Sequence, residues 1–489
     1  MKFTEIADYQ LPGGRVTKFS PQADSGTFRW DPDDRPLAYD HETYVRRAAS
    51  GRAESSWLGA VFEVTGHLDT AAMNRALLAW HRRHEVFRTT ATIAEDGAGN
   101  QHLVRRTCEP DRLRFGSTDL GWIEADAVGT TLTDMFDGEL SPLRWPHCMV
   151  VTISDTPDVD EDRFLLLFAA DHSVMDAYSM LLSIGELSRL YDAELRSQSV
   201  EMSDIGSHVD FSVRSRTMGN EVTVVHDTVE RWRQFLAATG GFPALSSVAA
   251  TRSRTSFSPP ADAVQRGWAL QVAGGEQVAA VNSVCRAAGH TTQTAVMAAM
   301  ALAHRRLTGE PTLRLVMPLH TRDEARFLES VGWYVGIGPL EIDVRHARTF
   351  ADALSAAATG ISAAKKLSRV PFPRVAELLG TVAEPQFVVS YLDLRFVAGA
   401  ADWTARRAQT LRSAARSESE VYIWVARTAE GITVSARHPA DDAATAAVTD
   451  LVVATFETMF EVIDAGIGTP VGVDSVGLDS VGAADVHIA

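Results

Sequence analysis

A histidine and an aspartate four residues apart, His172 and Asp176, stand in the segment Asp171-His172-Ser173-Val174-Met175-Asp176-Ala177. Three readings suit such a pair. Two metal ligands is one. A metal needs a third and usually a fourth ligand, and the nearby His147 and Cys148 sit in no recognisable ligand spacing, so no metal is expected. A general base with an orienting carboxylate is the second. Imidazole, with an unperturbed pKa of about 6.5, keeps a usable neutral fraction near pH 7. The third is an incidental pair, and spacing alone favours it.

The elements around the pair change that weighting. Phe164 to Ala170 is an unbroken apolar run, which reads as a strand buried on both faces. Beyond the pair, Met180, Ile184, Leu187 and Tyr191 recur at helical spacing. His172 and Asp176 therefore occupy the turn between a buried strand and a helix. Strand ends are where α/β folds commonly place chemistry.

The segment resembles the HHxxxDG motif of the condensation-domain superfamily, the carrier-protein-dependent acyltransferases related to chloramphenicol acetyltransferase. Further segments fall in that family's order. Gly66 to Asp69 precedes a helix carrying Met73, Leu77 and Trp80, and then Arg83-His84-Glu85-Val86-Phe87-Arg88-Thr89. Pro318 to Arg322 precedes Val331-Gly332-Trp333-Tyr334-Val335-Gly336. Pro385 to Leu394 resembles the strand at the active-site floor, and Gly431 to Asp442 leads into a last amphipathic helix. The likeness covers about residues 35 to 465. Two positions depart: Asp171 replaces a histidine and Ala177 replaces a glycine. Asp171 and the opening segment Arg35 to Asp40 through Trp57-Leu58-Gly59 look like stand-alone actinobacterial members, including the polyketide-associated acyltransferases. Alanine at 177 is tolerable in helical backbone and strained at positive φ.

The resemblance implies an α/β (α+β) fold, two chloramphenicol-acetyltransferase-like lobes forming a V-shaped pseudodimer with a central tunnel. It implies a free-standing condensation enzyme of natural-product biosynthesis, in the setting of antibiotic pathways. Such an enzyme moves an acyl or aminoacyl group from the phosphopantetheine thioester of an acyl or peptidyl carrier protein to a small-molecule acceptor. A hydroxyl acceptor gives an ester and an amine gives an amide. No cofactor is expected on the chain itself, since the phosphopantetheine arrives on the partner. His172 is implied as the base. Asp176 is implied as structural, paired with Arg322 from the second lobe. Met175, Tyr178, Trp333, Tyr334 and Ser390 are implied as tunnel lining, though each aromatic suits ordinary core packing equally well. His84 and Arg88 read as a polar brace of the first lobe. Backbone N–H groups of 172–178, or of the following helix start, would serve the oxyanion. The chain shows no G-x-S-x-G elbow, Walker loop or dinucleotide fingerprint, so transfer without a covalent acyl-enzyme is the economical expectation. Two alternatives stay open: an acyl-CoA-dependent O-acyltransferase of the same fold, and a catalytically silent carrier-protein-binding module.

Bulk properties bound the rest. With 489 residues and 45% hydrophobic content, a large core and two domains of ordinary size are affordable. Lys plus Arg number 46 against 63 Asp plus Glu, giving −17, which argues against nucleic acid as a partner. Arg406, Arg407, Arg412 and Arg416 form one local basic cluster, either a solvated loop or a docking patch for an acidic carrier. Three distant cysteines, Cys108, Cys148 and Cys285, suggest no disulfide framework, and a reducing cytoplasm fits. The N-terminus shows no signal-peptide core, and no apolar stretch is long enough to span a bilayer.

Along the chain, residues 1–195 read as the first lobe, with a short extended piece at most before residue 35. Residues 196–225 read as a polar crossover, 226–465 as the second lobe and 466–489 as a mobile tail. Asp69 is the expected N-cap of its helix. Gly289 is the expected C′ residue of a helix near 278–288. Val421 to Arg427 and Ile432 to His438 read as a hairpin.

Overall fold

The structure, a computed structural model, describes residues 1–22, 28–51, 56–95, 97, 99, 101–156, 162–245, 264–382, 384–468 and 470–471. In chain order the strands are β1 (Phe3–Glu5), β2 (Gly14–Pro21), β3 (Asp31–Asp33), β4 (Trp57–Thr65), β5 (Thr89–Glu95), β6 (Gln101–Thr107), β7 (Phe115–Ile123), β8 (Cys148–Ser154), β9 (Arg163–Asp171), β10 (Arg266–Gly274), β11 (Thr312–His320), β12 (Val335–Asp343), β13 (Phe387–Asp393), β14 (Gln409–Arg412), β15 (Val421–Thr428) and β16 (Gly431–His438). The helices are α1 (Tyr39–Ala49), α2 (Thr70–Arg83), α3 (Ala125–Glu139), α4 (Ala177–Leu195), α5 (His208–Glu221), α6 (Asp227–Ala237), α7 (Gly275–Ala287), α8 (Thr292–Thr308), α9 (Phe350–Leu367), α10 (Phe372–Leu379) and α11 (Asp442–Ala465). This is a mixed α/β fold. Among the described residues no helix is long and apolar enough to cross a membrane.

Two large sheets organise the molecule. The first has the order β1-β14-β4-β9-β8-β2-β7 and the second β10-β16-β15-β13-β11-β12. The apolar run before His172 is β9, paired on both edges by β4 and β8. Helices cover both its faces, which is why it carries no polar alternation. On one side Phe62 and Phe168 pack with Met73, Leu77 and Trp80 of α2 and Met180, Ile184 and Leu187 of α4. On the other, Leu165 and Leu167 pack with Val128, Leu132 and Phe136 of α3.

The local punctuation behaves as its chemistry requires. The Asp69 carboxylate accepts from the Ala72 N–H and caps α2. Gly289 follows α7 at φ +79°, a conformation open to glycine at little cost. The hairpin is β15 and β16.

Two expectations are corrected, and a third gains detail. Residues 1–34 hold more than a short extended piece, because β2 is eight residues long and sits inside the first sheet between β7 and β8. Within residues 196–225, expected as a polar crossover, α5 occupies much of the segment, capped by Ser207, whose Oγ accepts from the Val209 N–H. The two sheets are also not drawn from consecutive halves. β14 joins the first sheet, antiparallel to β4 and parallel to β1. Trp403, Trp424 and Ala426 share a core cluster with Trp80 and Phe168. The tail expected at 466–489 lies, from residue 472 onward, outside the described residues.

Burial sets an acid limit on this fold. Burial lowers His41 and pulls His81 down to about 3 and His147 and His208 to about 4. Below about pH 6.5 the unfolded chain takes up protons these folded imidazoles refuse, so stability falls as pH falls. Each unit of descent costs up to about 1.4 kcal/mol per histidine. Asp40 and Asp171, raised by burial to about 7 and about 6, act in the opposite sense but are fewer. The melting temperature is expected to drop by several degrees between pH 7 and pH 5, with His147→Gln flattening the drop. A Tm level across that range would refute the assignment.

Candidate active site

β9 ends at Asp171, and the chain must turn within five residues to start α4. The turn is closed by Asp171 itself. Its Oδ1 accepts from the Ser173 N–H (2.9 Å) and its Oδ2 from the Tyr44 hydroxyl (3.1 Å). Its carbonyl accepts from the Val174 N–H, and the His172 N–H donates to the Ser56 carbonyl. An aspartate in this place acts as a turn clamp. α4 begins at Ala177, which has no positive φ, so the alanine is unstrained.

Asp176 caps α4, its Oδ1 accepting from the Ser179 N–H at 2.7 Å. It also holds Arg322 in a bidentate pair, Nη1 to Oδ2 at 2.8 Å and Nη2 to Oδ1 at 3.1 Å. The Tyr334 N–H donates to Oδ2 at 2.9 Å. Both side chains are deeply buried, at 1% and 4% exposure, so the pair is shielded from solvent and salt. Burial pushes the Asp176 carboxyl up, yet the Arg322 guanidinium and these N–H donors outweigh it and hold it below the usual range. Arg322 also donates to the Ser179 hydroxyl (2.6 Å) and lies under the Tyr334 ring, 4.3 Å from its centre. Gly332 has a reason to be glycine: a Cβ there would come within 2.4 Å of the His208 ring.

His172 is half-buried in the wall of a cavity of about 530 Å³. Burial lowers its pKa, while a contact to its own backbone oxygen and the charge of Asp176 pull the other way. Nδ1 is enclosed, with no partner from any other residue. That leaves Nε2 as the nitrogen open to a ligand. The cavity lies between the two sheets, walled by Trp57 and Leu58 of β4, Pro318 of β11, Ser390 of β13 and Trp424 of β15. Asp176, Tyr178 and Arg322 line it too. A second cavity of about 290 Å³ shares His320, Arg322, Val335 and Lys365 with it.

Of the expected lining, Tyr178 and Ser390 face the larger cavity. Met175 does not: it is fully buried with Val174 and Met180, because the turn directs it into the first-sheet core. Tyr334 is likewise buried, packed on Phe211 and Phe327 with its hydroxyl on Ser330. Trp333 borders the smaller cavity and packs its ring 4.6 Å from His172. The basic cluster is split: Arg407 and Arg416 are exposed and Arg406 is half-buried, while Arg412 is not at the surface. Arg412 is buried against the Trp424 ring, and Arg407 bonds Glu63. His84 is the brace expected. Its Nε2 donates to Glu186 (2.6 Å), which also takes Trp80 and Arg83, and its Nδ1 accepts from the Val331 N–H. Arg88 instead donates to the Cys108 carbonyl. His147, once weighed as a ligand, is tied to Ser141 and Thr90.

Tyr44, His320, Lys365 and Arg437 border the site or its turn and were not singled out from sequence. They lie on elements far apart in the chain, with no spacing to announce them.

A family model described as Condensation domain matches residues 43–420. Acyltransferase PapA3 of Mycobacterium tuberculosis is 27% identical over 445 residues, covering 88% of this chain and 89% of that protein. Trehalose-2-sulfate acyltransferase PapA2 of Mycobacterium bovis is 24% identical, covering 63% of each chain. A solved PapA2 acyl transferase superposes with TM-score 0.80 at 22% identity, over 95% of this chain and all of that one. The first condensation domain of the calcium-dependent antibiotic synthetase, solved with a substrate analogue, reaches 0.63 at 17% identity, over 90% and 98%.

Proposed function

We propose that this chain, an acyltransferase that belongs to the condensation-domain family, uses His172 to move an acyl group from a thioester to a hydroxyl of a small-molecule acceptor. The observation that carries the reading is the His172 imidazole, one nitrogen enclosed and the other open, in the wall of a cavity bounded by both sheets. Nε2 takes the proton of the acceptor O–H as its oxygen attacks the thioester carbonyl. The tetrahedral oxyanion is met by N–H groups at the start of α4, where the first turn of a helix leaves donors without intrahelical partners and a positive dipole end. Collapse breaks the C–S bond, and the imidazolium returns its proton to the departing sulfur. No covalent enzyme intermediate is needed.

The thioester donor is a carrier protein's phosphopantetheine arm, which brings the acyl carbonyl to His172 in the larger cavity. Relatives named for trehalose-based substrates favour a hydroxyl over an amine acceptor. Offering one acyl group on a carrier protein, on CoA and on N-acetylcysteamine tests this. Faster transfer from the carrier supports the reading, and equal or faster transfer from CoA overturns the carrier part of it.

The lowered pKa of His172 has a kinetic consequence. A base must be neutral, and burial keeps this one neutral to a lower pH than free imidazole. The acid limb of kcat/KM is expected below pH 6.5. A limb above that value would place the titration on another group.

A further inference from the structure

His172 borders only the larger cavity and Trp333 only the smaller, although the two cavities share four side chains. The imidazole and the indole are 4.6 Å apart at 48°. They stand on opposite sides of one thin divide. The backbone behind the indole is pinned. The Trp333 carbonyl accepts from His208 Nε2 (3.0 Å), and the Gly332 carbonyl accepts from the Asp176 N–H and the Ser179 hydroxyl. The backbone just before the indole lies close against the first residue of α5, since a Cβ on Gly332 would come within 2.4 Å of the His208 ring. On its other side the indole meets the edge of Tyr44, ring centres 5.8 Å apart, and the Tyr44 hydroxyl is anchored on Asp171. The indole is therefore a side chain held against a fixed frame, half-buried, with space behind it. That space is lined by the hydrocarbon of Ala38, Phe211, Met218 and Pro371 and, at other points, by the charged Asp40, Arg214, Arg322, Asp323, Lys365 and Arg369.

We infer that Trp333 is a specificity-determining partition that limits the length of the acyl chain His172 can serve. The inference rests on the transfer reading. With the reacting carbonyl beside His172, the acceptor, the sulfur arm and the acyl chain all radiate from one point. A chain that outgrows the larger cavity has the smaller one as its neighbouring space, and the indole closes that route. The wild-type protein accordingly favours short acyl groups. Removing the indole joins the cavities and admits long ones.

The test compares butyryl- and palmitoyl-N-acetylcysteamine as donors, with release of the thiol followed in the presence of trehalose. Trp333→Ala is expected to raise kcat/KM for palmitoyl relative to butyryl by about tenfold or more, the scale a reshaped apolar pocket delivers. Trp333→Phe should fall between. Trp122→Ala, at an exposed tryptophan on β7, should leave the ratio unchanged. An unchanged chain-length profile in Trp333→Ala with a wild-type melting temperature overturns the partition. If the wild-type protein cleaves neither donor, as strict dependence on a carrier protein would give, turnover does not read chain length and the transfer reading is judged by the carrier-protein assay above. The partition is then decided by thermal shift: palmitoyl-N-acetylcysteamine must stabilise Trp333→Ala and not the wild type, and equal shifts refute it.

Discussion

His172→Ala is expected to lower kcat/KM by about 10²–10⁴-fold, the contribution of a positioned general base, while leaving the melting temperature close to that of the wild type. The asymmetry follows from the contacts. The side chain gives up no hydrogen bond to another residue, only its ring contact with Trp333, since its Nδ1 has no partner and the residue borders the cavity. What anchors the turn is main chain and Asp171: the His172 N–H on Ser56, the Ser173 N–H on the Asp171 carboxylate. Alanine keeps the first, and the second does not involve position 172. His172→Gln refines the test, because an amide can orient an acceptor hydroxyl but cannot take its proton near pH 7. If the alanine variant turned over at the wild-type rate with a saturating acceptor, the proton would be leaving by another route.

Asp176→Ala is expected to destabilise the fold by about 3–5 kcal/mol, because it strands a deeply buried guanidinium without its counter-charge. Arg322 is 4% exposed and its Nε already has no partner, so nothing is at hand to replace the carboxylate. The same change removes the N-cap of α4, typically worth about 1 kcal/mol, and releases the Tyr334 N–H. Activity should vanish with it, since the pair fixes the segment from 332 to 334 against the His172 turn. Chemical denaturation measures the first effect and turnover the second. Adding Arg322→Met to Asp176→Ala should restore part of the stability and none of the activity, because removing both charges is far less costly than removing one. A single variant with a wild-type denaturation midpoint, merely slow, would show that Asp176 acts on substrate and not on structure.

What the sequence determined by itself was local. The turn bearing His172 was legible because an apolar strand and an amphipathic helix flank it, and those periodicities depend only on near neighbours. The caps at Asp69 and Gly289 were legible for the same reason. The pairing of Asp176 with Arg322, 146 residues away, entered only through family likeness, since no one-dimensional pattern encodes it. Met175, Tyr178 and Tyr334 were equally apolar-aromatic candidates for a lining. Only packing assigned Met175 and Tyr334 to cores and Tyr178 to the cavity. The placement of β14 in the first sheet, the two cavities and the indole set between them were decided by tertiary structure alone. Strand partners and cavity walls are chosen by long-range burial competing across the whole chain, and that competition leaves no periodic trace in the residues it brings together.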